Sequence, residues 1–295
     1  MHQYLRAIGF SDIKTKKELR DILHMVVDGH DTMDHIETDR STSIVEYTKM
    51  VAGPCGICVR GEVEEEKNLV LDFYFPYLRP SVVTTVEEVS IERHAAKESF
   101  AGVCEDNRVG ATIIYYLQNG VEYMRTYADK SLGKGEKVIS LAGLSLSGTV
   151  LLPIKKNEKE LSKVKQASSN RLQKIAAAKE GNEEALESLT IEDLDTYAAI
   201  SQRIHKEDLF TLIDTYFMPY GIECDQYSVL AEIEECRLYQ NYITDEEIYV
   251  MTLNMNEFVF DICINKKDLL GEPVPGRRFK GSLWLQGKVD FSYIE

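Results

Sequence analysis

Six cysteines, at 55, 58, 104, 224, 236 and 263, and a few histidines and acids near them are the residues best suited to chemistry. Cys55-Gly56-Ile57-Cys58 has the C-x-x-C spacing of a redox pair or of half a zinc site. A redox pair sets its first thiol at a helix N-terminus, where the backbone dipole favours the thiolate. Here Gly53-Pro54 makes a turn and Val59 to Val63 continues as strand, which is the wrong context for that work. A structural zinc needs two further ligands, and the chain has no second C-x-x-C or C-x-x-H. Cys55 and Cys58 therefore read as buried, strand-borne thiols. His30 and His35, with Asp31 and Asp34, have the residue types of a metal site. In a polar loop, solvation is the stronger reading, and no metal or cofactor is expected. Glu92, His94 and Cys104 could supply carboxylate, base and thiol nucleophile, the sharpest enzyme reading available. That chemistry requires the three to meet in space.

Two near-misses fail on spacing. Gly143-Leu144-Ser145-Leu146-Ser147-Gly148 lacks the glycine at the fifth place of a nucleophile elbow. Gly133-Lys134-Gly135-Glu136-Lys137 lacks the spacing and the following Ser or Thr of a phosphate loop. A more positive signal comes near the C-terminus, where Lys266, Lys267, Arg277, Arg278, Lys280 and Lys288 gather around Phe279 and Trp284, the only tryptophan. Arginine beside aromatic residues is favoured at recognition hot spots. Arg277, Arg278, Lys280 and Trp284 are therefore the candidate binding residues, for an acidic partner or for RNA. The competing reading is a sheet whose solvent face is basic and whose Trp packs inside.

These residues need elements to carry them. Thr15 and Glu18 form a capping box, followed by Leu19, Ile22, Leu23 and Val26 at helical spacing and by Gly29. This predicts a helix over 16–27, then a polar loop to Ser43. From Ile44 to Glu92 the chain is β-rich in four stretches. Asn119-Gly120 between two apolar runs predicts a tight hairpin of 111–117 with 121–127. A second hairpin is expected of Lys137 to Leu141 with Ser145 to Leu152. Residues 155–179 hold eight Lys or Arg against two Glu, and 180–200 hold seven acids and no base. This predicts a basic and an acidic helix, the second capped by Thr190, folded back at Glu180-Gly181-Asn182. A further helix is expected over 206–217, and from there the helix-then-strands pattern of the first half recurs at an offset of 190. The expected fold is thus α+β: two helix-on-antiparallel-sheet lobes, 1–154 and 206–295, joined by a helical connector, 155–205.

Composition narrows the function classes. A formal charge of −15 sets a field that repels phosphate, which argues against broad nucleic-acid or anionic-membrane binding. No apolar run approaches the roughly 20 residues needed to span a bilayer. The opening Met1 to Phe10 has no secretory-leader pattern, and sparse cysteines suit a reducing compartment. The expectation is a cytoplasmic protein.

Several stretches carry a family likeness: Glu92-Arg93-His94, Phe100 to Cys104, Tyr116 to Asn119, Tyr216 to Asp225, Gly276 to Gly281 and Trp284 to Gly287. Together the chain resembles, over nearly its whole length, an uncharacterised family of clostridial proteins whose domain has no assigned function. The resemblance implies a cytoplasmic protein of a low-GC Gram-positive bacterium. It brings no catalytic residue, ligand or partner. What remains is a non-catalytic intracellular binding or scaffolding protein, with an unknown protein partner or self-association. An enzyme using Glu92, His94 and Cys104, or an RNA contact through the C-terminal patch, is the alternative.

Overall fold

Helix α1 (Lys16–Asp28) begins where the capping box places it. Glu18 N–H donates to Thr15 Oγ1 at 3.2 Å, and Thr15 N–H donates to Glu18 Oε2 at 3.0 Å. The computed structural model describes residues 1–38, 42–64, 69–93, 99–129, 135–154, 170, 173–174, 177, 181–191, 214–221 and 224–292. Strands β1 (Thr32–Glu37), β2 (Thr42–Ala52), β3 (Cys55–Glu64) and β4 (Leu69–Leu78) follow α1 as a four-stranded antiparallel sheet in chain order. The loop expected after the helix is therefore partly strand, because β1 pairs with β2 along its length.

All other strands among the described residues belong to one eleven-stranded mixed sheet. They are β5 (Thr85–Glu88), β6 (Ser90–Arg93), β7 (Phe100–Asp106), β8 (Ala111–Leu117), β9 (Glu136–Leu151), β10 (Tyr216–Pro219), β11 (Gln226–Gln240), β12 (Glu247–Met255), β13 (Phe258–Asn265), β14 (Leu269–Leu270) and β15 (Arg278–Asp290). This overturns the expected α+β pair of helix-on-sheet lobes. The protein is mostly β, and strands from both halves of the chain pair in one sheet. Of the connector, residues 183–191 are helical, and Asn182 Oδ1 accepts from Ala185 N–H at 3.1 Å at its start. Thr190 lies inside that helix, donating to Leu186 O. Residues 170, 173–174 and 177 are helical as well, but most of 155–213 lies outside the described residues, and with it most of the two opposed helices and of the helix expected over 206–217. That helix's last two residues, Tyr216 and Phe217, instead begin a strand, Tyr216–Pro219.

The sheet closes on itself twice. Following β11–β12–β13–β9–β15 returns to β11. Following β9–β15–β8–β7–β6 reaches β5, the same run bent at Val89, which pairs again with β9. The long strands β9 and β15 thus run through two small barrels with one continuous apolar interior, filled by residues such as Phe258, Phe260, Phe279, Leu285, Tyr115 and Tyr227. Where β8 and β15 pair over only two residues, Tyr227 closes the gap. Its hydroxyl accepts from Ile114 N–H at 2.8 Å and donates to Ile114 O at 3.1 Å.

Both expected hairpins are absent, for physical reasons visible in the structure. Asn119 does not turn the chain back into a strand, because β15 captures it. Its side chain donates to Val289 O at 2.7 Å and accepts from Val289 N–H at 3.2 Å. The chain continues as helix α2 (Gly120–Ala128). Residues 137–152 form one strand because Gly143 is a close approach rather than a turn. A Cβ there would lie 3.0 Å from Leu283 and 3.3 Å from Ile262, in a wall paired on both sides.

A second core lies between the outer wall of the barrels and the four-stranded sheet. The 3-10 turn Gln3–Ile8 and α1 add Tyr4, Ile8 and Val26 to it, and Trp284, Leu144 and Cys263 come from the barrel side. Asn241, Thr244 and Asn265 clasp the N-terminal turn through Ile8 O, Gly9 O and Arg6 O, and Arg6 pairs with Asp268 at 2.6 Å. No helix among the described residues is long and apolar enough to cross a membrane.

Candidate functional site

Where the four-stranded sheet meets the barrel wall, a cleft of about 720 Å³ opens. One side is the β2–β3 turn, Gly53-Pro54, with the segment Arg79 to Val82 that leads from one sheet to the other. The opposite side and floor are Glu234, Glu235, Arg237 and Tyr239 on β11, Val250 and Thr252 on β12, and Asp261 on β13. Gly53 has φ of +53°, and a Cβ there would come within 2.3 Å of the Tyr239 ring. Only glycine allows the turn to close this tightly on the barrel. Backbone ties hold the wall: Arg79 N–H donates to Pro54 O at 2.9 Å, and Tyr242 N–H to Val51 O at 3.1 Å.

Asp261 anchors the crossing segment. It is 2 % exposed, and its carboxylate accepts from Ser81 N–H at 2.6 Å, from Ser81 Oγ at 2.8 Å and from Thr252 Oγ1 at 2.7 Å. A buried carboxylate is tolerated because its lone pairs are occupied. On the rim, Glu234 accepts from Asn254 at 2.5 Å, and Glu235 pairs with Arg237 at 3.1 Å in the open. Arg79, also at the rim, has no hydrogen-bond or ion-pair partner for its guanidinium among the described residues. The cleft therefore offers hydroxyls, an uncommitted cation and two exposed carboxylates, which suits holding a polar ligand. Among the described residues that line it there is no cysteine or histidine to act as nucleophile or base.

A second groove, of about 590 Å³, lies over the β5–β6 bend and β7. It is lined by Glu87, Glu88, Ser90, Glu105 and Asn107, with Cys104 beneath. Burial, then the charges of Asp106 and Glu87, raise the Cys104 thiol to about 12. A thiol so placed stays protonated near neutral pH and is a weak nucleophile. Glu92 pairs in register with Ala101, three residues before Cys104, so Glu92 and Cys104 project from opposite faces of the sheet. His94 lies outside the described residues.

The other sequence candidates are separated as well. Arg278 is 5 % exposed and donates to Leu152 O at 3.2 and 3.1 Å and to Asp214 O at 3.4 Å. One guanidinium thus binds the chain just past β9 and just before β10. Arg277 caps Glu272 O at 2.9 Å. Lys280 is half-buried along β15, with a partner of its own. Lys266 and Lys267 pair with Glu247 and Glu246. Trp284 is 6 % exposed, stacks on Tyr4 at 5.2 Å and donates to Asp225 Oδ2 at 2.7 Å. Its place is the second core.

Around the first helix, His30 Nδ1 lies 2.8 Å from Val27 O, Asp31 accepts from Met50 N–H, and Asp34 pairs with Arg125. Among the described residues no three His, Cys, Asp or Glu side chains are grouped to hold a metal. Sequence reasoning missed the cleft residues Arg79, Glu234, Arg237, Tyr239 and Asp261. One signal was present: Asp261 is the single charge in the apolar run Phe258 to Ile264, where a buried acid needs dedicated partners.

A family model for a domain of unknown function, DUF3881, described from an E. rectale gene, matches residues 5–287. No curated protein and no solved structure matches the chain.

Proposed function

The chain belongs to this family of unknown function, and we propose that it is a non-catalytic binding or scaffolding protein of the cytoplasm whose ligand occupies the sheet-junction cleft. The observation that carries this reading is Arg79, a cation without a hydrogen-bond or ion-pair partner among the described residues, on the rim of a cleft whose buried acid is already saturated. A guanidinium in that setting recognises an oxyanion, a carboxylate or a phosphate, by a forked pair of hydrogen bonds to two of its oxygens. Ser81 and Thr252 offer hydroxyls, and Glu234 and Glu235 accept from amines or hydroxyls on the same ligand. The ligand is therefore a small polar molecule or peptide end that presents an acid to Arg79. The protonated Cys104, facing away from Glu92, supports binding over covalent catalysis.

Thermal unfolding of the full chain with a panel of small carboxylates and inorganic phosphate tests the reading. A ligand at about 100 times its Kd stabilises by about 2.7 kcal/mol, a rise of several degrees. Arg79→Ala is expected to abolish that rise while leaving the unliganded midpoint in place. A panel in which no member raises the midpoint, or an Arg79→Ala protein that responds as fully as wild type, overturns it.

A further inference from the structure

The side chains across the cleft floor are arranged with a polarity. On the outer wall of the barrel, Asp261 of β13, Thr252 of β12 and Glu235 of β11 stand opposite one another in the strand register. Asp261 and Glu235 are thus two inter-strand spacings apart, about 10 Å. Ser81 is bonded to Asp261 at one end of this row, and Arg79 comes two residues before it in the chain. Glu234 and Glu235 stand at the other end, both exposed. A cationic wall therefore faces an acidic one. The hydroxyls between them are oriented too. Ser81 Oγ and Thr252 Oγ1 each donate their single proton to the Asp261 carboxylate, so toward the cleft they present lone pairs. Glu234 accepts from Asn254, and Glu235 from Arg237 in an exposed pair. Each carboxylate keeps further acceptor sites. Arg79 thus looks across two hydroxyl oxygens to two carboxylates.

We propose that the ligand of this cleft is a zwitterion of the amino-acid class, a free amino acid or a dipeptide with both ends free. Its carboxylate sits on Arg79 and its ammonium on Glu234 and Glu235. The inference rests on the cleft reading above and narrows it to one ligand class. An ammonium brings three donors and no acceptor, which matches the acidic wall and the hydroxyl oxygens. A plain carboxylate or inorganic phosphate brings acceptors to Arg79 and leaves that wall without donors. Net charge decides the same way. The chain carries −15 and repels an anion, a phosphate dianion most of all, whereas a zwitterion is neutral as a whole. The floor sets the length. With the arms of Arg79 and Glu235 reaching inward, about 10 Å holds one or two residues at about 3.5 Å each. Val250, next to Thr252 on the same face of β12, gives the ligand's side chain an aliphatic surface to rest on.

Thermal unfolding of the full chain with the common amino acids and their dipeptides with alanine finds the tightest binder, with propionate and inorganic phosphate alongside. Calorimetric titration then compares that binder with its N-acetyl form, which keeps the carboxylate, and with its amide, which keeps the ammonium. Each blocked form is expected to bind about tenfold more weakly or worse, the loss of a charge-assisted hydrogen bond. Glu234→Gln with Glu235→Gln, which keeps side-chain shape on an exposed wall, should bring the parent down to the affinity of its N-acetyl form. Arg79→Ala should lose both. A response to propionate or phosphate with none to any amino acid or dipeptide overturns this proposal and leaves the cleft reading standing. So does an N-acetyl form that binds as tightly as its parent, or a double variant that binds the parent undiminished. No response to any probe, or a full response in Arg79→Ala, overturns both.

Discussion

The barrel interior and the sheet junction both bury a large apolar core, yet they are made of different chemistry. The interior is filled by aromatic and aliphatic side chains, and its polar atoms are few: the Tyr227 hydroxyl that bridges to Ile114, and the Tyr115 hydroxyl, buried with no hydrogen bond. The junction mixes a similar apolar packing with groups that must be paired to be tolerated. Arg60, 2 % exposed, is locked to Glu46 and lies 4.9 Å from the Phe73 ring. Glu246 gathers Ser11, Asn265 and Lys267, and Asp261 gathers Ser81 and Thr252. A core of hydrocarbon sets how stable the protein is. A core with paired charges sets which surfaces meet, and it leaves polar groups where a cleft opens.

If that contrast holds, the largest loss comes from the interior. Phe260→Ala is expected to cost about 3–5 kcal/mol in urea unfolding, because the closed barrel cannot collapse onto the space left behind. At the junction, Arg60→Ala should cost about 3 kcal/mol by stranding Glu46. The double change Glu46→Leu with Arg60→Met should recover most of that loss, since it removes both charges. Failure of the double change to recover would mean that the pair itself, and not the stranded acid, stabilises the junction. Tyr227→Phe is expected to cost about 1–3 kcal/mol, through two backbone groups of Ile114 left without a partner.

The subtlest effect is in pH. Burial pushes the Glu246 carboxyl up, but hydrogen bonds from Ser11, Lys267 and Asn265 outweigh it and hold the group below the ordinary value of 4.5. The unfolded chain therefore takes up a proton before the folded one does. Its contribution is complete above that value and drains away as pH falls through the lower folded one. Glu246→Gln should flatten the acid limb of the stability profile between those points and leave the neutral limb unchanged in slope.

Local signals in the chain were legible where a short stretch satisfies itself. Thr15 and Glu18 start α1 by hydrogen-bonding each other, and β2, β3 and β4 carry their own β-branched pattern. The Cys55-x-x-Cys58 stretch was legible as strand for the same reason. Asn119-Gly120 misled because its turn chemistry is real but weaker than two hydrogen bonds from a strand 170 residues away. Gly143 misled because a glycine for close packing and a glycine for a turn look alike in one dimension. Arg278 and Trp284 had the residue types of a recognition patch. Only the strand register shows that one binds two backbone segments together and the other fills a core.

From residues alone came the capped first helix, the β character of 44–92, the acidic balance and the absence of a catalytic motif in a workable context. The closure of the sheet, the cleft at its junction and the burial of Trp284 against Tyr4 came only with the tertiary structure. Each of these depends on pairing between segments far apart in the chain. Such pairing is chosen by which apolar faces can be buried together, and no local window of sequence contains both faces.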